Sequence, residues 1–174
     1  LNSLVAAKNR YIQDRYEAMR LTMEGLREHI GVKFKLIEIS RSTLEVWKEQ
    51  WPKWPKTELN QFDWDEIHKR FREPDSFKFA IWADDELCGL VVGTTSGQSI
   101  KVRFIEGSPN PSCPLKGRRI LIALEAVALY GQLRGKRELV LEPINQKLID
   151  VYENDYGFEV VRPRKGDPFC RKGI

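Results

Sequence analysis

The sequence predicts a mixed α/β fold: a central mixed sheet of about seven strands flanked by helices, with an extra helix at the N-terminus. Three observations predict it. Apolar segments of strand length recur seven times, several of them bounded by turn residues. Three of these follow one another between Phe77 and Ile105, which reads as an antiparallel meander. A long loop, a strongly apolar helix and another strand come next, and a helical crossover of that kind brings the strand back in parallel. The sheet is therefore expected to be antiparallel first and parallel at one junction.

The chain has 174 residues, room for one ordinary domain with a proper core. Residues 1–31 are read as an N-terminal helical extension and residues 32–174 as the main domain. In the extension, Ile12, Tyr16, Met19, Met23, Leu26 and Ile30 recur at alternating spacings of four and three. That places them on one stripe of a helix, closed by Gly31. The stripe is expected to pack on its own domain, or on a second copy as a homodimer seam.

Lys33–Ser40 alternates charged and apolar residues at period two and reads as a half-buried strand. A tryptophan-rich stretch follows, with Trp47, Trp51, Trp54 and Trp64 interrupted by Pro52 and Pro55. It reads as a short helix over Thr43–Gln50, a proline-bounded loop and a second helix over about Trp64–Phe71. Aromatic and basic residues interleave here, as in single-strand binders. Glu45, Glu49, Asp63, Asp65 and Glu66 would repel phosphate, so the tryptophans are read as anchors and nucleic acid is not an expected partner.

The meander comprises Phe77–Trp82, Leu87–Gly93 and Ser99–Ile105. Its turns fall at Ala83–Glu86, where adjacent aspartates suit a tight bend, and at Thr94–Gly97. Glu106–Leu115 carries three prolines and must be a loop. Arg118–Arg134 is apolar almost all round, which describes a buried helix, and Gly135 closes it. Glu138–Ile144 is the next strand. Asn145 is placed to cap a helix that ends at Gly157. Phe158–Val161 and Phe169–Lys172 are the closing strands.

Composition bounds the chemistry. Lys and Arg exceed Asp and Glu by 29 to 25, too mild an excess to indicate a nucleic-acid binder. The longest nearly charge-free apolar run, Ile120–Leu124, is far short of the ~20 residues a spanning helix needs, so no membrane partner is expected. No basic-plus-apolar leader opens the sequence. Three cysteines, Cys88, Cys113 and Cys170, form an odd set without paired spacing, which points to a reducing, cytoplasmic setting rather than a disulfide framework. His29 and His68 are the only histidines, and no metal site is expected.

Two segments carry a resemblance. Lys116-Gly117-Arg118-Arg119-Ile120-Leu121 enters the buried helix, and Asn145 to Phe158 contains Asn145, Tyr152, Gly157 and Phe158 at defined spacings. Together with the element order, they resemble the GNAT superfamily of acyl-CoA-dependent N-acyltransferases. The first segment resembles that family's R-G-x-G-x-G/A pyrophosphate loop, with Arg119 and Leu121 where the second and third glycines would stand. The second resembles its N-x-x-A-x-x-x-Y-E-x-x-G-F segment, with Leu148 in place of the small residue.

The resemblance implies a fold, a cosubstrate and a reaction. Acetyl-CoA would lie between the Ser99–Ile105 and Glu138–Ile144 strands, which splay apart in that family. Its pantetheine arm would run along Phe104, Ile105 and Glu106 and contact Asn145. Its diphosphate would sit over Lys116, Gly117, Arg118, Arg119 and Ile120, where helix N–H groups and basic charge converge. An amine acceptor would attack the thioester directly. Tyr152 matches the family's general acid and Glu106 is the first candidate for the base, with Asp63, Asp65 and Glu66 as weaker ones. The alternative reading is a degenerate domain of this type that serves as a CoA-binding or regulatory module.

Overall fold

The structure is a computed structural model, and it describes residues 2–57, 62–143 and 145–174. The chain runs α1 (Asn2–Ile30), β1 (Lys35–Glu38), α2 (Arg41–Gln50), a 3₁₀ turn (Trp51–Lys53) and α3 (Trp64–Arg70). It continues β2 (Phe77–Ala83), β3 (Glu86–Ser96), β4 (Ser99–Gly107), α4 (Arg119–Leu133), β5 (Glu138–Leu141), α5 (Gln146–Tyr156), β6 (Glu159–Val161) and β7 (Phe169–Gly173). The seven strands form one sheet in the order β1-β2-β3-β4-β5-β7-β6. Only β4 and β5 pair in parallel; every other neighbouring pair is antiparallel. The expected mixed sheet and its single parallel junction are present.

Helices cover both faces. On one face, α1 and α4 bury Ala18, Met19, Ile30, Ile122, Ala123, Ala126 and Val127 against Phe77, Phe79, Val91 and Ile100. On the other, α2, the 3₁₀ turn and α3 bury Leu44, Trp51, Trp64 and Ile67 against Ala80, Leu87, Leu90 and Val92. Alternation along β2 and β3 sends successive side chains to opposite layers. Both layers are filled, so the central strands read as continuous apolar runs. The helix caps follow the sequence: Ser40 and Thr43 form a reciprocal capping box on α2, and Asp63 caps α3 by accepting from the N–H groups of Asp65 and Glu66.

Within the single chain, the expected α1 stripe packs on the domain only in its second half. Met19 and Ile30 are buried, but Ile12 is 41% exposed and Tyr16 61% exposed. The buried face is rotated toward Ala18 and Thr22, small residues that let α1 lie close on α4. Thr22 turns its hydroxyl onto the Ala18 carbonyl at 2.7 Å, which removes its polarity from the contact. Polar anchors hold the same face: Arg134 pairs with Asp14 at 2.7 Å, stacks over Tyr11, and Arg15 pairs with Glu38. A hydrophobicity pattern passes over such positions because Ala, Thr and charged residues carry no apolar signal.

Element ends differ elsewhere. The first strand is shorter than Lys33–Ser40, since Ser40 is taken by the α2 cap. The expected Glu138–Ile144 strand stops at Leu141, and Pro143, which has no N–H to pair, follows two residues later. Ile144 lies outside the described residues, as does part of the proline-bounded loop after Trp54. The order of the last strands is also not the chain order: β7 lies between β5 and β6.

Candidate active site

The sheet opens between β4 and β5. Their pairing runs from Ser99 opposite Glu138 to Val102 opposite Leu141 and ends there. Beyond that point β4 continues through Arg103 to Gly107 on β3 alone. Two features drive the strands apart. Val92 pairs with Phe104 and Gly93 with Val102, so Arg103 is an extra residue, a bulge that bends β4. On the other side β5 simply terminates before Pro143. An ion pair between Lys101 and Glu142 pins the closed end of the wedge.

A cleft fills this opening. Its walls include Phe104, Ile105, Glu106 and Gly107 from β4, Arg119 and Ile120 from α4, Leu141 and Pro143 after β5, and Leu148 and Tyr152 from α5. A second pocket opens on the far side of β4, lined by Trp47, Lys48, Trp51, Pro52, Lys56, Phe62 and Pro109. Glu106 and Phe62 line both. The Glu106 carboxyl thus stands in the partition between two cavities.

Glu106 is 3% exposed, an unusual place for a carboxyl group. Its Oε1 accepts a 2.9 Å hydrogen bond from Trp64 Nε1, while Oε2 is buried without a hydrogen-bond partner among the described residues. Burial pushes its pKa up to about 7. The Trp64 indole, the Phe62 backbone N–H and the charge of Lys56 pull in the other direction and are outweighed. A carboxylate poised near neutrality with a free lone pair is equipped to accept a proton.

Tyr152 reaches the cleft from α5. Its ring packs on Phe158 at 6.0 Å between centroids, and the side chain is almost wholly buried. Burial pushes the phenol up to about 12, so it keeps its proton at neutral pH. Asn145 has a different placement. Its Oδ1 accepts the Leu148 N–H at 2.9 Å as the α5 N-cap, and the residue lines a surface hollow that shares Glu142 and Pro143 with the cleft.

The turn before α4 carries the other expected site residues. Lys116 N–H bonds the Cys113 carbonyl and Arg118 N–H the Leu115 carbonyl, a pair of consecutive turns. Gly117 between them has φ +84°, a conformation that side chains rarely adopt. The first helical bond is from Ile122 N–H to Arg118 O, and no side chain caps the helix. The N–H groups of Arg119, Ile120 and Leu121 therefore precede the ladder. Lys116 and Arg118 are exposed beside them. Arg119 folds the other way: its Nη1 donates to the Ser108 carbonyl at 2.9 Å and leans toward the Cys88 carbonyl at 3.4 Å. A Cβ at Gly107 would lie 2.4 Å from its guanidinium carbon, so the glycine makes room for it.

The structure thus brings Phe104, Ile105, Glu106, Arg119, Ile120 and Tyr152 to one cleft, with Lys116, Gly117 and Arg118 on the adjoining turn and Asn145 on an adjoining hollow. Of the weaker base candidates, Asp63 caps α3 and Asp65 pairs with Lys48 at 2.6 Å. Sequence reasoning missed the role of Trp64, taken only as an anchor. A buried indole needs an acceptor for its N–H, and that requirement was the available signal.

No family model matches the sequence, and no curated protein matches it. Solved structures do. The ribosomal-protein-S18-alanine N-acetyltransferase from Escherichia coli superposes with a TM-score of 0.59 at 14% identity, over 81% of this chain and 94% of that one. The GNAT domain of S. lividans PAT gives 0.60 at 16% identity, over 80% and 89%. The PaiA N-acetyltransferase from Thermoplasma acidophilum, solved in complex with coenzyme A, gives 0.54 at 16% identity, over 81% and 99%. With a seven-stranded sheet split after one parallel junction and helices on both faces, this chain has the GNAT fold.

Proposed function

We propose that the protein transfers an acetyl group from acetyl-CoA to an amine by direct attack, with Glu106 as the base. The observation that carries this reading is the Glu106 carboxyl itself: buried, shifted to about 7, with Oε2 unpartnered among the described residues, in the wall between two cavities. Accepting from Trp64 occupies one oxygen of this carboxyl, and the other is left for a proton.

The fit to acetyl-CoA rests on three features. The β4 edge from Arg103 to Glu106 runs past the end of β5 and offers backbone groups along an apolar wall. The uncapped α4 terminus presents N–H groups to a diphosphate, flanked by Lys116 and Arg118. Gly117 lets the backbone turn closely there. Arg119 contributes its backbone N–H, since its guanidinium is bound to the Ser108 carbonyl and leans on that of Cys88 in β3. Asn145 shapes the α5 start from behind the cleft.

The acceptor enters from the second pocket. Glu106 takes a proton from the acceptor ammonium, and the freed nitrogen lone pair bonds to the thioester carbonyl carbon. The C–S bond breaks, the departing thiolate takes a proton from the Tyr152 hydroxyl, the extra proton on the acylated nitrogen passes to solvent, and the tyrosinate regains its proton from solvent. The products are the N-acetyl amine and CoA. The test is a thermal shift with CoA and acetyl-CoA, followed by thiol release across a panel of amines. Stabilisation by several degrees is expected from mass action. Absence of any shift contradicts the cosubstrate; a shift with no turnover on any amine favours a CoA-binding module instead.

A further inference from the structure

Cys88 and Cys113 have no motif spacing, yet the fold sets them together. Glu86 and Cys88 stand two apart at the start of β3, where Cys88 is an extra residue in the pairing with β2. The loop after β4 carries Cys113 across to them. Both sulfurs and a Glu86 carboxylate oxygen lie within 4.8 Å of one another, and both cysteines are buried.

We propose that Glu86, Cys88 and Cys113 form a binding site for a divalent metal of borderline softness, Zn²⁺ being the ion that fits. Two thiolates and one carboxylate are a donor set that zinc accepts, with a water completing four-coordination. Metal–ligand lengths of about 2.0–2.3 Å put tetrahedral donors roughly 3.3–3.8 Å apart, so the cluster closes on an ion by about 1 Å of side-chain rotation. The surroundings are those of a supported site. Asn110 Nδ2 donates to Glu86 Oε1 at 2.6 Å, orienting the carboxylate and leaving its second oxygen for the ion. The Arg119 guanidinium lies beside the cluster, with Nη1 3.4 Å from the Cys88 carbonyl. Two thiolates and a carboxylate around a divalent ion leave one negative charge, which Arg119 balances. Binding displaces two thiol protons to solvent and needs no oxidant or reductant.

Such an ion would clasp β3 to the turn before α4. The Cys113 carbonyl already holds Lys116 N–H at 3.1 Å, so the ligand and the basic turn are one rigid unit. The site lies beside the cleft, and its occupancy does not depend on whether the protein transfers acetyl groups.

The experiment is a Co²⁺ titration of the reduced, full-length protein followed by absorption. One equivalent should bind, with a thiolate-to-cobalt charge-transfer band in the near ultraviolet, tetrahedral bands in the visible, and loss of both on adding Zn²⁺. Cys88→Ser and Cys113→Ser should each remove the charge-transfer intensity of their sulfur. Asn110→Ala should keep the spectrum and bind about 10–100-fold more weakly. A reduced wild-type protein without a thiolate band overturns the proposal, and this arm needs no variant to fold. Unchanged Co²⁺ affinity in the half-buried Glu86→Gln overturns the three-donor assignment.

Discussion

Trp64 Nε1–H is bonded to Glu106 Oε1 at 2.9 Å, with both side chains sealed between the sheet and α3. The indole steadies the carboxylate, and the surrounding apolar groups penalise its charge. Burial prevails, which leaves the group near pH 7 and makes it both a candidate base and a burden on the fold.

Glu106→Gln separates those two roles. The amide keeps the shape and still accepts from Trp64, but it cannot take a proton. Turnover should fall by ~10²–10⁴-fold, the scale of a lost general base. Stability should move the opposite way. The carboxyl titrates near 4.5 when unperturbed and near 7 in the fold, so the folded chain holds the proton longer. Stability present below about pH 4.5 is therefore lost as pH rises through 7, up to about 3 kcal/mol. Calorimetry at pH 8 should show the variant melting higher than wild type, with the difference vanishing near pH 4.

Trp64→Phe keeps the α3 anchor and removes one hydrogen bond to the carboxylate. Without that donor the Glu106 pKa should rise further, since the indole lowers it. The acidic limb of the pH–rate profile should shift to higher pH. An unmoved limb would separate the titrating group from Glu106.

Tyr152→Phe removes a hydroxyl and preserves the ring contact with Phe158. If the phenol protonates the thiolate, turnover should drop ~10²-fold or more while the CoA dissociation constant stays near wild type. Loss of CoA affinity together with turnover would assign Tyr152 a binding or structural role.

The rotated α1 face gives a paired stability test. Met19→Asp puts a charge among buried apolar side chains and should cost about 3 kcal/mol or more. Ile12→Asp changes a solvent-facing position and should stay within about 0.5 kcal/mol. Equal effects in chemical denaturation would restore the sequence-derived stripe.

Much of the fold was legible because its signals are local. Gly157 and Asn145 bracket α5 as capping chemistry requires, and the meander announced itself through Asp84-Asp85 and Thr94–Gly97. The part of the α1 face formed by Ala18 and Thr22 was not legible because these residues pack by smallness. The insertion of β7 between β5 and β6 leaves no local trace, as any pairing order would satisfy the same apolar runs. In the cleft, Glu106 and Tyr152 came from motif and element position. The Trp64 bond, the inward fold of Arg119 and the meeting of Cys88 with Cys113 depend on tertiary approach between residues far apart in sequence.

The most direct measurement is the pH dependence of kcat/KM for thiol release from acetyl-CoA, with an amine that the wild-type protein accepts, in wild type and Glu106→Gln. Wild type should gain activity through an ionisation near pH 7, and the variant should lose that limb along with most of its rate. A limb near pH 7 that survives unchanged in Glu106→Gln, at undiminished rate, would contradict Glu106 as the base.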